Sequence, residues 1–228
     1  MTHSADQNRL INIINHGSRL LGLSLTRDSV LRMLRHLELV AQWNKQINLT
    51  SLRKPEELAV FHCLDSLTTL RVIPRREALS ILDIGTGAGF PGLIIKNVYT
   101  EADLTLLDNH PGKIVFLKYV AKEIGLQRVF FRNCPVGRLL DTNNENYFDL
   151  IVSRAFSSDP VFLDSLHKLL RPGGFLIRMS GPASHGKDYN LKNFTVSAFW
   201  QGFVPYSSSF RRVILYSTTP GPCPDFKR

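Results

Sequence analysis

One local feature limits what this chain can fold into more than any other: a glycine loop set between a strand and a helix. Ile81–Ile84 is a short apolar run, and the loop Asp83-Ile-Gly-Thr-Gly-Ala-Gly89 grows out of it. Glycines at 85, 87 and 89 let the main chain turn tightly and let a ligand rest against bare backbone. A helix through Leu93, Ile94 and Ile95 follows, then a second strand, Leu104–Leu107, that ends at Asp108. An acidic residue about twenty positions beyond such a loop can accept hydrogen bonds from ribose hydroxyls. The structural alternative is an aspartate that caps the next helix.

The remainder of the chain extends this unit. Lys113–Ile124 reads as a helix, and Val129–Phe131, Phe148–Val152 and Phe175–Ile177 as strands. A helix near Asp159–Leu170 is expected to end in a turn at Arg171-Pro-Gly-Gly174. Val196–Val204 and Val213–Tyr216 read as closing strands. Alternation of this kind predicts an α/β fold: an open, mostly parallel, Rossmann-like sheet with helices on both faces.

Three helical segments precede it. One covers Asn8–Leu21. The second starts near Thr26 and places Val30, Leu34, Leu37 and Ala41 on one face. The third starts at Pro55, a favourable first-turn residue, and runs to Leu70. The expected organisation is an N-terminal helical extension, residues 1–77, packed on a ligand-binding core, residues 78–228.

The spacing of the loop selects among ligands. A dinucleotide site needs G-x-G-x-x-G, so that a pyrophosphate meets a helix N-terminus. Here the glycines fall as G-x-G-x-G, Phe90 stands where the third glycine would be, and Asp83 would repel a phosphate. A carboxylate suits a cationic nucleoside instead. S-adenosylmethionine carries an amino group and a sulfonium and no phosphate, so it is the expected cofactor, and a dehydrogenase is disfavoured.

Charge adds a partner. The 228 residues carry a formal net charge of +9, which favours a polyanion. It is spread along the chain, with 11 basic against 7 acidic side chains in residues 1–80 and 17 against 12 beyond. That distribution suits a broad docking face better than a basic tail. Cys63, Cys134 and Cys223 have no metal-ligand spacing and read as thiols in a reducing compartment. No apolar run approaches membrane-spanning length. A cytoplasmic monomer without a structural or catalytic metal is expected.

A set of short motifs then points to one family. They are Trp43-Asn-Lys45, Asn48-Leu-Thr-Ser51, His62 with Leu64-Asp-Ser66, the glycine loop extended to Phe90-Pro-Gly92, Leu106-Leu-Asp108, Lys113, and Phe148-Asp149 with Ser153-Arg-Ala-Phe156. Together they resemble the small-subunit ribosomal RNA methyltransferase G family, also called glucose-inhibited division protein B. The resemblance implies a class I S-adenosylmethionine-dependent methyltransferase sheet with an N-terminal helical extension. It implies methylation of a guanine N7 in small-subunit (16S) ribosomal RNA, with that RNA or the small subunit as partner. It also implies that Gly85, Phe90, the Val136-Gly137 pair and Arg154 line the cofactor site, beside Asp83, Gly87, Gly89 and Asp108. The chain departs from the family pattern in three places. Pro135 and Gly137 replace an arginine and a glutamate, Ser180-Gly181 replaces Lys-Gly, and Phe210-Arg211 replaces Glu-Arg.

Guanine N7 is an unprotonated lone pair, so its methylation needs positioning and no general base. The candidates for substrate positioning are Asn48, His62, Asp65, Arg178, Ser180 and Arg211. His62 and Asp65 lie one helical turn apart and could meet each other; Arg178 and Ser180 share a strand face. Two other readings compete with this one. A small-molecule methyltransferase would show little salt dependence, whereas phosphate contacts make RNA binding fall steeply with salt. A non-catalytic RNA- or ribosome-binding homologue would not bind the methyl donor.

Overall fold

The computed structural model describes residues 4–76, 78–141, 147–154, 159–181 and 191–218. Among these, seven strands form one sheet in the order β3-β2-β1-β4-β5-β7-β6. The strands are β1 (Ser80–Ile84), β2 (Asp103–Leu107), β3 (Val129–Arg132), β4 (Phe148–Arg154), β5 (Leu170–Ser180), β6 (Thr195–Phe203) and β7 (Phe210–Ser217). The first five run parallel, and β7 enters antiparallel between β5 and β6. The carboxyl ends of β1, β2, β4 and β5 therefore share one edge with the start of β7 and the end of β6.

Three helical runs precede the sheet. Helix α1 (Ala5–Leu20) starts with a capping box between Ser4 and Gln7, and α2 (Arg27–Trp43) with a Thr26 cap on the Ser29 amide. The third begins at α3 (Pro55–Leu58) and passes through a π-helical stretch (Ala59–Leu64). It continues as α4 (Asp65–Leu67) and a 3-10 turn (Thr68–Arg71). Within the core, α5 (Gly92–Val98), α6 (Pro111–Glu123), α7 (Val136–Asp141) and α8 (Pro160–Ser165) connect the strands. No helix among the described residues is long and apolar enough to cross a membrane.

Strand alternation sorts the core into two layers. Ile81, Leu104, Leu106, Leu150, Val152, Ile177, Val213 and Leu215 face α1, α2, α5 and α6, and fuse with Ile14, Met33, Leu37 and Leu64 into one apolar cluster. Leu82, Ile84, Leu107, Ile151, Leu176, Ile214 and Tyr216 face the other way, against Val136, Leu163 and Leu166. Helices thus cover both faces, and the N-terminal helices close the first.

Two expectations need correction. The Arg171–Gly174 turn is absorbed into β5, where pairing shifts from Phe148↔Leu170 to Leu150↔Phe175. Gly173, at a φ of +73°, takes the kink that lets the strand resume. The short helix α7 was not anticipated, because six residues carry too little periodicity to register.

Candidate cofactor and substrate site

The glycine loop lies at the carboxyl edge between β1 and α5. Gly85, Gly87 and Gly89 all have positive φ, at 67°, 59° and 93°. Their surroundings differ. A Cβ on Gly89 would sit 2.5 Å from Leu93, so that glycine serves packing. A Cβ on Gly87 would meet nothing nearer than the Gly85 carbonyl at 4.0 Å, so this backbone faces open space. Gly137, exposed at the start of α7, would likewise present a Cβ to open space, while its neighbour Val136 is buried in the second layer.

Asp108 pins the loop from the end of β2. One carboxylate oxygen accepts from the Gly87 amide at 3.0 Å and the other from the His110 amide at 2.9 Å, with Lys113 Nζ 3.9 Å away. Asp108 lies beside the loop and does not cap the next helix, whose N-cap is His110, without a side-chain cap bond. Each oxygen retains a lone pair for a hydroxyl donor.

Asp83 lies beneath the loop rather than in it. Fully buried, it accepts from the Thr86 hydroxyl at 2.7 Å and the Gly92 amide at 2.9 Å through Oδ2, while Oδ1 has no hydrogen-bond partner. Burial pushes its carboxyl up to about 6, against the pull of those two donors. A Cβ at Gly92 would approach Asp83 Oδ2 to 2.6 Å, so only glycine lets the helix start this close to the carboxylate.

Phe90 takes a different place from the one expected of a cofactor-lining residue. It is 2% exposed and faces the N-terminal helices, sandwiched between His36 (ring centroids 4.5 Å apart) and His62 (4.7 Å), both near parallel. The Arg154 guanidinium sits 5.7 Å over the same ring. His36, which sequence reasoning missed, is bonded to the Ala88 carbonyl at 2.8 Å and so ties α2 to the glycine loop. Burial pulls it down to about 4.

Around Arg154 the π-helical stretch brings three partners together. Arg154 Nη1 donates to the Phe61 carbonyl at 3.2 Å and reaches Asp65 at 3.4 Å, and Nη2 donates to His62 Nδ1 at 3.1 Å. His62 Nδ1 must then accept, which leaves the proton on Nε2 for Thr50 Oγ1 at 2.8 Å. Burial first, then the neighbouring Arg154 charge, pulls His62 down to about 3, so its ring is neutral. His62 and Asp65 meet through Arg154 rather than directly. Asp65 is 2% exposed and also accepts from Arg211 Nε at 2.8 Å, which joins α4 to β7. Burial raises its carboxyl while the two guanidinium groups oppose the rise.

The other candidates divide. Asn48 is exposed on the loop after α2; its neighbour Asn44 holds that loop, accepting from the Leu49 and Thr50 amides and donating to the Thr50 carbonyl. Arg178 and Ser180 are buried on the second face of β5, the opposite face from Arg154 and Arg211. Ser180 Oγ donates to the Arg212 carbonyl at 3.1 Å. Ala155 and Phe156 of the Ser-Arg-Ala-Phe motif, and Cys223, lie outside the described residues. A cavity of about 680 Å³ near Ser80, Phe130 and Tyr147 opens at the amino edge of the sheet, away from all of these groups.

Comparison with known proteins agrees with this architecture. A putative sarcosine dimethylglycine methyltransferase from Galdieria sulphuraria superposes with a TM-score of 0.53 at 11% identity, over 73% of this chain and 88% of its own, a likeness of fold. Among sequences, the ribosomal RNA small subunit methyltransferase G of Alkaliphilus metalliredigens is 34% identical over 79% of this chain and 76% of its own length. That of Syntrophotalea carbinolica is 32% identical over 94% and 99%. The profile of the GidB family, described as rRNA small subunit methyltransferase G, matches residues 30–210. The chain belongs to the GidB family of small-subunit ribosomal RNA methyltransferases.

Proposed function

We propose that this protein transfers a methyl group from S-adenosylmethionine to the N7 of a guanine in small-subunit ribosomal RNA. The observation that carries the reading is the pinned loop: main chain at Gly85 and Gly87 in positive φ, tied at Gly87 to Asp108, with open space at Gly87. The residues fit the cofactor. Asp108 has acceptor capacity for ribose hydroxyls, and the unpartnered Asp83 Oδ1 supplies negative charge beneath the loop. The space at Gly137 leaves room where the family carries a longer side chain. The bound cofactor would supply an electrophilic methyl on a sulfonium.

The protein's part is positioning and electrostatics. Nucleophilic N7 needs no proton removed, and the polar groups beside β4 match that requirement: His62 is neutral, and Asp65 is committed to two arginines. Placing the cation Arg154 near a sulfonium would be unfavourable alone; Asp65 and Asp83 offset it. Holding base and methyl in line can supply about 7–11 kcal/mol in favourable cases.

The test is incubation of pure protein and labelled cofactor with undermethylated small ribosomal subunits, followed by mapping of the label. Label on one guanine, sensitive to N7-specific cleavage, is expected. Cofactor binding without transfer to RNA would overturn the substrate, and no cofactor binding by calorimetry would overturn the enzyme reading.

A further inference from the structure

We propose that the second face of β6, with the start of β7, is a stacking platform for a single-stranded RNA segment that leads to the target base. The proposal rests on the RNA reading above and adds where the strand lies. Phe199 and Phe203, both on β6, are 54% and 62% exposed. Phe199 lies opposite Ile214, a residue of the second face, and Phe203 lies opposite Phe210 in an edge-on pair with centroids 5.3 Å apart. Arg212 stands between them, its guanidinium 5.1 Å over the Phe199 ring. Alternation puts Phe199, Phe203, Phe210 and Arg212 on one face, next to the buried Arg178 and Ser180 of β5. On the opposite face Ala198 and Trp200 pack against the main core. Two large apolar rings left at the surface on one face of one strand need a partner.

Charge and position identify that partner. Strands β6 and β7 contain no acidic residue, and of their two arginines Arg212 lies on the same face as the rings. Aromatic faces interleaved with cations suit a polyanion with flat, unpaired bases, whereas a duplex offers no base faces to stack. The platform also reaches the reaction edge. Phe203 and Phe210 lie at the carboxyl end of the sheet, and Arg211, next to Phe210, turns to the other face to bind Asp65 beside Arg154. A strand laid across the rings therefore runs toward the cofactor loop.

The experiment measures binding of a fluorescein-labelled 12-nucleotide single-stranded RNA by the full chain, across a salt series. Phe199→Ala and Phe203→Ala should each weaken binding about tenfold without changing the salt slope, and Phe203→Tyr should restore it. Arg212→Gln should lower the slope by about 0.7. Methyl transfer to small subunits is assayed in parallel. If wild-type transfers label and both alanine variants bind RNA as tightly as wild-type, the platform is overturned and the enzyme reading stands. If the variants lose RNA affinity but wild-type transfers no label, the platform stands and the enzyme reading falls. If the alanine variants instead lose self-association or contact with a ribosomal protein, at unchanged RNA affinity, the RNA assignment is overturned.

Discussion

Two aromatic clusters flank the carboxyl edge of the sheet, one on each face, and they are built in opposite ways. On the first face Phe90 is sealed between His36 and His62 and topped by Arg154, with every ring under the N-terminal helices. On the second face Phe199 and Phe203 stand open to solvent. The difference teaches what each is for. The closed stack locks α2, the π-helical stretch and the glycine loop into one rigid body, so its value is stability and positioning. The open rings add little to stability, so their value must come from what lands on them.

The contrast can be broken first at its closed side. Asp65→Asn would leave Arg154 and Arg211, each about a fifth exposed, without their shared buried counter-charge and should cost about 2–4 kcal/mol in urea denaturation, with methyl transfer lost. A cost below 1 kcal/mol would mean that the two arginines are solvated and the face is not closed. Phe90→Ala should cost about 3–5 kcal/mol by opening a cavity, whereas Phe203→Ala should stay within about 0.5 kcal/mol of wild-type. Equal costs at the two positions would erase the comparison.

Acid should separate the faces as well. His36 and His62 are neutral when folded, at about 4 and about 3, and titrate near 6.5 when unfolded. The unfolded chain therefore takes up more protons below pH 6.5, and stability falls as pH drops through that window. Asp83, raised to about 6, works in the opposite direction between 6 and its unfolded value of 3.8. The net loss between pH 7 and pH 5 should be about 2–3 kcal/mol at ~1.4 kcal/mol per pKa unit. His36→Gln, which keeps a donor for the Ala88 carbonyl, should flatten the profile. Identical denaturation midpoints for variant and wild-type at pH 5 and pH 7 would show that the ring is not held neutral.

The smallest effect is expected at Gly137. Gly137→Glu enters open space, so its melting temperature should match wild-type, and added acidity beside the cofactor space should raise donor affinity a few-fold by calorimetry. A large destabilisation would show that the space is filled.

Much of this was legible in the sequence because the signals were local. The glycine loop, Asp108 at the end of β2, the first-turn proline at Pro55 and the strand–helix alternation each depend on residues close in the chain. The short motifs around His62, Leu64-Asp-Ser66 and Ser153-Arg indicated the family, which the profile match then established. Phe90 shows where such reading stops: its position after the loop suggested the cofactor pocket, yet its neighbours His36 and His62 come from helices 54 and 28 residues earlier in the chain. His36 carried no motif. It looked like any polar residue on an amphipathic helix, and only the approach of α2 to Ala88 gives it a role.

The sequence by itself determined the layered α/β fold and the tight glycine bend between β1 and α5, because spacing along the backbone dictates turn and period. Only the tertiary structure decided that Asp65 joins Arg154 and Arg211 from 89 and 146 residues away, and that Phe90 is sealed while Phe199 and Phe203 stay exposed. Ion pairs and ring stacks depend on distances in space, and those are set by how the N-terminal helices settle on the sheet.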